Sequence, residues 1–453
     1  MPRTRKGKKG HATTGLPRRE GVYFLSLELE GVRCFGPKQI LDLSDGSGRP
    51  APWTIILGNN GVGKTTLLRS LVWLVPDRFF RLQEERYAPK GFVGHSFLTP
   101  IAWRPFRHAS ERSKFGATLF RGDLGGREKG NTLPVVMDLV ESGPGSISNT
   151  VPAAFSSLNC YGYGATRRMG AGTLTDHKDA GATDSLFLED VPLRNAEEWL
   201  LQADYAAAKD SPGKKAAEDK RDRIKQLLLD LLPEVLDIRF VAGAKESSAA
   251  RVEFETHYGW VGMRDLSLGY RTLIAWMVDL ASRLFEQYPE SPDPLAEPAV
   301  VLVDEIDLHL HPKWQRVLTS YLRERFPNTQ FIVTAHSPLV VQGAEDANIA
   351  VLRREGDHVV IDNDVEAIRG WRVDQVLTSD LFGLESARPP RLDQLLAERT
   401  ALLSKPRLTR QDKTRLQQLE SDIGELPTGE TKTERDAIAL IERVADKLRA
   451  AKK

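Results

Sequence analysis

The chain has 453 residues, 41% hydrophobic and 28% charged, with a formal net charge of +1, so it can bury large cores and sets up no global field toward nucleic acid or anionic lipid. Its two cysteines, Cys34 and Cys160, lack metal-type spacing and exclude a disulfide framework, in keeping with a reducing cytoplasm. No apolar run approaches the roughly twenty residues of a membrane helix, and no apolar segment follows the basic N-terminus as in a secretory signal, so a cytoplasmic location without a membrane partner is expected.

In chain order, residues 1–20 carry Arg3, Arg5, Lys6, Lys8, Lys9, Arg18 and Arg19 before the first acid, Glu20. This reads as a disordered basic tail, solubilising or able to touch phosphate backbones. Val22 to Leu29 reads as a strand. Trp53 to Leu57 is a buried strand that runs into a Gly-rich loop and then a helix from Lys64 to near Val75. Residues 81–190 hold scattered short strands, such as Pro134 to Val140, between Gly, Ser and Pro turn signals. Within them, the Gly, aromatic and basic run Tyr161 to Arg168 reads either as a loop that contacts phosphate or DNA, or as a tight structural turn.

Two helices follow, Asn195 to Lys209 and Gly213 to Leu232, separated by Ser211-Pro212-Gly213. They are a short coiled-coil stub or ordinary packing. Alternating Val252 and Phe254 mark a strand, and Leu266 to Phe285 a helix. Ala299 to Val303 and Gln330 to Val333 are buried strands flanking one helix from Pro312 to near Arg325. From Arg391 the composition shifts to helix formers, with Leu392, Leu395, Leu396, Leu402 and Leu403 on one face, then Leu416, Leu419 and Ile423, then Ile441, Val444, Ala445 and Leu448. Thr409 to Asp412 and Thr433 to Asp436 have the form of N-terminal capping boxes, so three appended helices are expected.

The chemistry concentrates in four segments. Gly58-Asn59-Asn60-Gly61-Val62-Gly63-Lys64-Thr65 matches G-x-x-x-x-G-K-[ST] in full, between a predicted strand and a predicted helix. The glycines let backbone N–H groups turn around a phosphate, and the following helix start adds partial positive charge. Asn59, Asn60, Gly61, Gly63, Lys64, Thr65 and Thr66 are therefore candidate ATP-binding residues. Lys64 would reach the β- and γ-phosphates, and the Thr65 hydroxyl would ligate Mg²⁺. The apolar strand Ala299 to Val303 ends in Asp304 and Glu305, the Walker B form. Asp304 is a candidate Mg²⁺ ligand and Glu305 the candidate general base that polarises the attacking water.

The third segment, Leu266-Ser267-Leu268-Gly269-Tyr270-Arg271, opens a predicted helix and resembles the ABC signature L-S-G-G-Q, with Leu268 and Tyr270 as departures. The resemblance implies that Ser267 and the Gly269 N–H contact the γ-phosphate bound to a second subunit. The fourth, Thr334-Ala335-His336-Ser337-Pro338, follows a predicted strand. Here the resemblance makes His336 the switch histidine that hydrogen-bonds the γ-phosphate, alongside Glu305 in the catalytic group.

Over about residues 22–80 and 250–352 the chain resembles the ABC ATPases of the SMC, RecF and OLD group. The likeness rests on the strand before Phe35-Gly36, the GNNGVGKTT loop, LSLGYRT, VVLVDEIDLHLHP and TAHSP. It implies a head-to-tail dimer closing around two ATP molecules and coupled to DNA or an effector, with Asp307 and His309 to Pro312 facing the second subunit. Pro312 is equally explained as a helix start. The lid glutamine of such proteins has no clear counterpart, since Gln83 lies only 19 residues after Lys64.

The expected fold class is α/β: a P-loop ABC ATPase domain split by an inserted α+β region, with a C-terminal helical appendage. The expected divisions are 21–80 and 246–352 for the two ATPase lobes, 81–245 for the insertion, 353–390 for a connector and 391–453 for the appendage. The tail acids Glu398, Asp412, Glu420 and Asp422 are spaced as solvated helix faces, so no nuclease is evident. Stand-alone ATPases of this design resemble the ATPase subunits of anti-phage systems such as Septu or PARIS, which act with a separate nuclease. The expectation is an ATP-hydrolysing homodimer or higher oligomer that gates such an effector, with DNA as a further partner. A RecF-like DNA-repair clamp and a low-turnover nucleotide-gated scaffold are the alternatives.

Overall fold

The computed structural model describes residues 20–75, 112–124, 130–140, 146–148, 155, 157–170, 181–243, 250–344, 346–365 and 370–424. The basic tail, Gln83, the third appended helix and the Thr433 to Asp436 capping box lie outside these residues. The chain divides into two compact units, residues 1–376 and 377–453.

In the first unit, β1 (Gly21–Glu30) and β2 (Gln39–Asp42) precede β3 (Trp53–Gly58) and α1 (Lys64–Trp73). Then come β4 (Arg112–Gly122), β5 (Asn131–Val140), β6 (Ser146–Ser148) and β7 (Cys160–Tyr163). Helices α2 (Ala196–Ala208) and α3 (Lys214–Leu231) lead into β8 (Val235–Val241), β9 (Arg251–Thr256) and β10 (Gly259–Gly262). The remainder is α4 (Leu268–Gln287), β11 (Ala299–Val303), α5 (Pro312–Gln315), α6 (Leu318–Arg325), β12 (Thr329–Thr334), α7 (Pro338–Gln342), β13 (Asn348–Glu355) and β14 (His358–Asp362).

The central sheet has six strands in the order β14-β13-β3-β12-β11-β7. From β13 to β7 neighbours run parallel, and β14 is antiparallel to β13. Strands β3, β11 and β12 are almost continuously buried, as a parallel sheet covered on both faces requires, and this is why their sequences show apolar runs rather than alternation. Their registers bring the carboxyl ends of β3, β12, β11 and β7 to one edge, the place where open α/β sheets hold ligands. Beside it lie an antiparallel sheet, β2-β1-β4-β5-β6, and a small one, β10-β9-β8. The architecture is the expected α/β P-loop fold.

Gln330 joins the central sheet to β1. This side chain is fully buried, its Oε1 accepting the Phe24 N–H at 2.9 Å and its Nε2 donating to the Phe24 carbonyl at 2.8 Å. It acts as an extra peptide group where the β1–β4 register shifts between Phe24 and Ser26. Gln330→Leu would strand both Phe24 groups away from water. A loss of about 2–4 kcal/mol is expected, read as a lower urea midpoint, because each buried unpaired group costs about 1–3 kcal/mol.

Helices α2 and α3 are ordinary packing elements. Trp199, Leu200 and Ala203 of α2 and Ile224, Leu227, Leu228 and Leu231 of α3 are buried, and α2 rests on α4 and β9. Two expectations are corrected. The run from Tyr161 is neither loop nor turn at its start: Cys160–Tyr163 is a strand paired in parallel with β11. The single helix expected from Pro312 to Arg325 is two, broken at Arg316 and Val317. There the Arg316 carbonyl fills the space a Cβ on Gly343 would need, and Thr319 Oγ1 donates to the Gly343 carbonyl at 2.8 Å. That tertiary contact fixes a turn where helix propensity alone would continue.

Following α8 (Val373–Thr378), the second unit contains α9 (Pro390–Leu403) and α10 (Arg410–Ile423) packed on one another. Thr409 and Asp412 form the expected capping box, and Arg415 makes a two-pronged ion pair with Glu398 at 2.7 and 2.8 Å.

Candidate nucleotide site

The loop between β3 and α1 is wrapped tightly against the turn after β1. Gly63 caps α1 with φ 96, and a Cβ there would overlap the Cys34 sulfur and crowd Phe35. Only glycine satisfies both the dihedral and the space. Asn59, Asn60 and Gly61 are exposed at the rim of the loop, whereas Thr66 is buried in the first turn of α1. Lys64 is 7% exposed, and its Nζ donates to the carbonyls of Gly58 at 2.7 Å and Asn59 at 2.9 Å. Burial lowers its pKa, opposed by the charges of Asp304, Glu305 and Asp307. The ammonium is thus folded back over its own loop, where phosphate oxygens can replace the carbonyls as acceptors.

A chain of hydrogen bonds links the P-loop to the strand ends beside it. Thr65 Oγ1 donates to Asp304 Oδ2 at 2.7 Å, across 239 positions of sequence. Thr334 Oγ1 donates to Asp304 Oδ1 at 2.6 Å and accepts the Glu305 N–H at 2.7 Å. Asp304 is 6% exposed and Glu305 half-buried. The Thr65 hydroxyl and the Asp304 carboxylate are hard oxygen donors already in contact. They fit Mg²⁺, which takes one or two protein oxygens and fills the remainder of its octahedron with phosphate and water.

His336 follows β12 and is exposed, and its backbone N–H donates to both oxygens of Asp307 at 3.2 Å. Asp307 is therefore engaged within its own chain. The Pro312 helix start is a local structure as well, because His311 caps α5 by accepting the Lys313 N–H at 3.3 Å.

Ser267 and Gly269 lie apart from this chain of hydrogen bonds. Ser267 is exposed and caps α4, accepting the Tyr270 N–H at 3.4 Å. Leu268 beside it is 52% exposed. Gly269 packs directly on the His309 carbonyl oxygen, which a Cβ would overlap. Gly269 therefore has a structural reason within one chain, apart from any role toward a second. Gly269→Ala should push the turn after Glu305 outward and cost about 1–3 kcal/mol, the usual price of overpacking, seen as a lower melting temperature without nucleotide. An unchanged melting temperature would show that this contact is slack.

Two residues that the sequence reading left without a role emerge here. Thr334 ties Asp304 to the Glu305 backbone, and its position at the end of the strand beside Walker B was its only signal. Arg167 is 2% exposed, and its Nη1 donates to the Asp304 carbonyl at 2.5 Å and its Nη2 to the Glu305 carbonyl at 2.8 Å. Glu305 (φ 47), His309 (φ 64) and Arg167 (φ 35) all adopt left-handed backbone. For residues with a side chain this costs of order 1–3 kcal/mol each and persists only where the surroundings enforce it.

A family model described as "AAA domain" matches residues 26–100, and one described as "AAA domain, putative AbiEii toxin, Type IV TA system" matches residues 173–342. The Septu protein PtuA of Bacillus mycoides (strain KBAB4) is 26% identical over 409 residues, covering 87% of this chain and 50% of that protein. The Retron Ec83 probable ATPase of Escherichia coli is 36% identical over 153 residues, covering 33% of this chain and 27% of that protein. The chain thus spans half or less of the length of these two relatives. Among solved structures, an SMC head bound to the C-terminal winged-helix domain of ScpA aligns with a TM-score of 0.42 at 17% identity, covering 75% of this chain and 97% of that one. Over the segments that carry its P-loop and its Walker B strand, the chain is thus similar to AAA-domain models, and it is similar to a Septu PtuA protein and a retron probable ATPase.

Proposed function

We propose that the chain binds Mg-ATP through Asn59, Asn60, Gly61, Gly63, Lys64, Thr65 and Thr66 and hydrolyses it with Glu305 as general base. The observation that carries this reading is the hydrogen-bonded chain Thr65–Asp304–Thr334–Glu305, which ties the Asp304 carboxylate and, through Thr334, the Glu305 main chain to the P-loop. Thr65 and Asp304 would hold Mg²⁺, which neutralises phosphate charge. Lys64 and the loop N–H groups take up the charge that develops on the γ-phosphoryl oxygens. Glu305 accepts the proton of the attacking water, and His336, exposed at the same edge, donates a hydrogen bond to the γ-phosphate.

The protein works as a homodimer or higher oligomer, with Ser267 and Gly269 of one copy completing the site of the other. The exposed, solvent-facing start of α4 supports this reading. Residues 21–80 and 246–352 carry the nucleotide motifs, β7 from the span 81–245 and β14 from the span 353–390 complete the central sheet, and the appended helices from Pro390 to Ile423 offer a surface for an effector. The likeness to Septu PtuA and to a retron ATPase supports a role in anti-phage defence, in which ATP-driven closure gates a separate nuclease acting on DNA.

Sedimentation of wild type and Glu305→Gln, with and without Mg-ATP, tests this together with phosphate release. Nucleotide-dependent association of the variant, without turnover, is the expected result. An association state indifferent to ATP would remove the shared site.

A further inference from the structure

After β7, the chain passes so close to the turn Asp184–Leu186 that a Cβ on Gly164 would overlap the Ser185 carbonyl oxygen. Three residues later Arg167 turns inward with left-handed backbone and places its guanidinium behind the end of β11. Both of its strong contacts are to main-chain carbonyls, those of Asp304 and Glu305, and its Nε is buried with no hydrogen-bond partner among the described residues. Burial pulls its pKa down to about 10, partly offset by Asp304, Asp307 and Glu305, so it stays charged at neutral pH.

The segment that carries Arg167 is itself anchored. The Asp304 N–H donates to the Tyr163 carbonyl at 2.8 Å. Tyr163 Oη donates to Asp279 Oδ2 of α4 at 2.9 Å, and that carboxylate also receives Arg283 Nε at 2.7 Å.

We propose that Arg167 is a positioning residue for hydrolysis: by bridging the Asp304 and Glu305 carbonyls it holds the Glu305 backbone left-handed and so aims the Glu305 carboxylate at the attacking water. This rests on Glu305 being the general base. The planar fork of arginine reaches two carbonyls at once, whereas lysine supplies the charge as a single point and cannot bridge them. A charge-balancing role would therefore be rescued by Arg167→Lys, and a bridging role would not.

The test is R167K, measured as full-length protein beside wild type and E305Q. In R167K, kcat for ATP should fall about tenfold to a hundredfold, as expected for a misaimed catalytic group. Its equilibrium affinity for a fluorescent ATP analogue with Mg²⁺ should stay within about twofold of wild type, because the P-loop is untouched. In nucleotide-free protein, hydrogen exchange should accelerate at the Glu305 and Ile306 amides and not along β3. A kcat equal to wild type, or unchanged exchange at those two amides, overturns the proposal. If wild type releases phosphate and E305Q does not while R167K matches wild type, this inference alone fails. If wild type releases no phosphate at all, the hydrolysis reading fails and takes the inference with it.

Discussion

Glu305→Gln is expected to leave Mg-ATP bound while phosphate release falls by about two to four orders of magnitude, the usual contribution of a positioned general base. The substitution keeps side-chain size and removes only the ability to accept a proton from water. The Glu305 amide remains bonded to Thr334 and its carbonyl to Arg167, because neither contact involves the carboxylate. Steady-state phosphate release together with equilibrium nucleotide binding separates the two effects. A variant that hydrolyses within threefold of wild type would move the base elsewhere, and Asp307 would be the next residue to replace.

Lys64→Ala should instead remove binding. The Lys64 ammonium bonds two loop carbonyls and sits 7% exposed among three acids. With nucleotide bound it would exchange those carbonyls for charged phosphate oxygens, and charge-assisted hydrogen bonds of this kind contribute about 1.5–3 kcal/mol each. Losing them should weaken Mg-ATP affinity by about a hundredfold or more. Without the lysine, Asp304, Glu305 and Asp307 also face the phosphates with one less positive charge between them. Titration with a fluorescent analogue in the presence of Mg²⁺ reads this directly, and affinity within threefold of wild type would rule out phosphate contact by Lys64. Because one variant spares binding and the other abolishes it, the pair distinguishes a chemical defect from a binding defect.

Much of this fold is written locally in the chain. The strands Trp53–Gly58, Ala299–Val303 and Thr329–Thr334 declare themselves by buried apolar runs, because a strand covered on both faces has no polar side to alternate with. The capping box at Thr409 and Asp412 and the cap at Asn195 follow from short polar side chains placed where helix N–H groups lack partners. The P-loop, too, is a local object: glycine spacing, lysine and threonine are all within one turn of chain.

What the sequence could not show depends on partners distant along it. Cys160–Tyr163 alternates tyrosine with glycine and carries no strand signal of its own. It becomes a strand because β11 offers it a ladder and Gly162 lets it pass close to Thr183. The break between α5 and α6 is set by Gly343, and the role of Gln330 by the Phe24 backbone groups of β1 that it bonds. The clearest case is Arg167. An arginine in a Gly-rich run reads as a solvent-facing or phosphate-facing cation, because charge is costly to bury. Here two backbone carbonyls at the end of a strand 137 and 138 positions away accept its hydrogen bonds. The sequence by itself thus determined the P-loop and the buried strands that frame it. Which side chains brace the two acids was left to tertiary structure, since hydrogen bonds to main-chain carbonyls depend on position and not on the identity of the residue that supplies them.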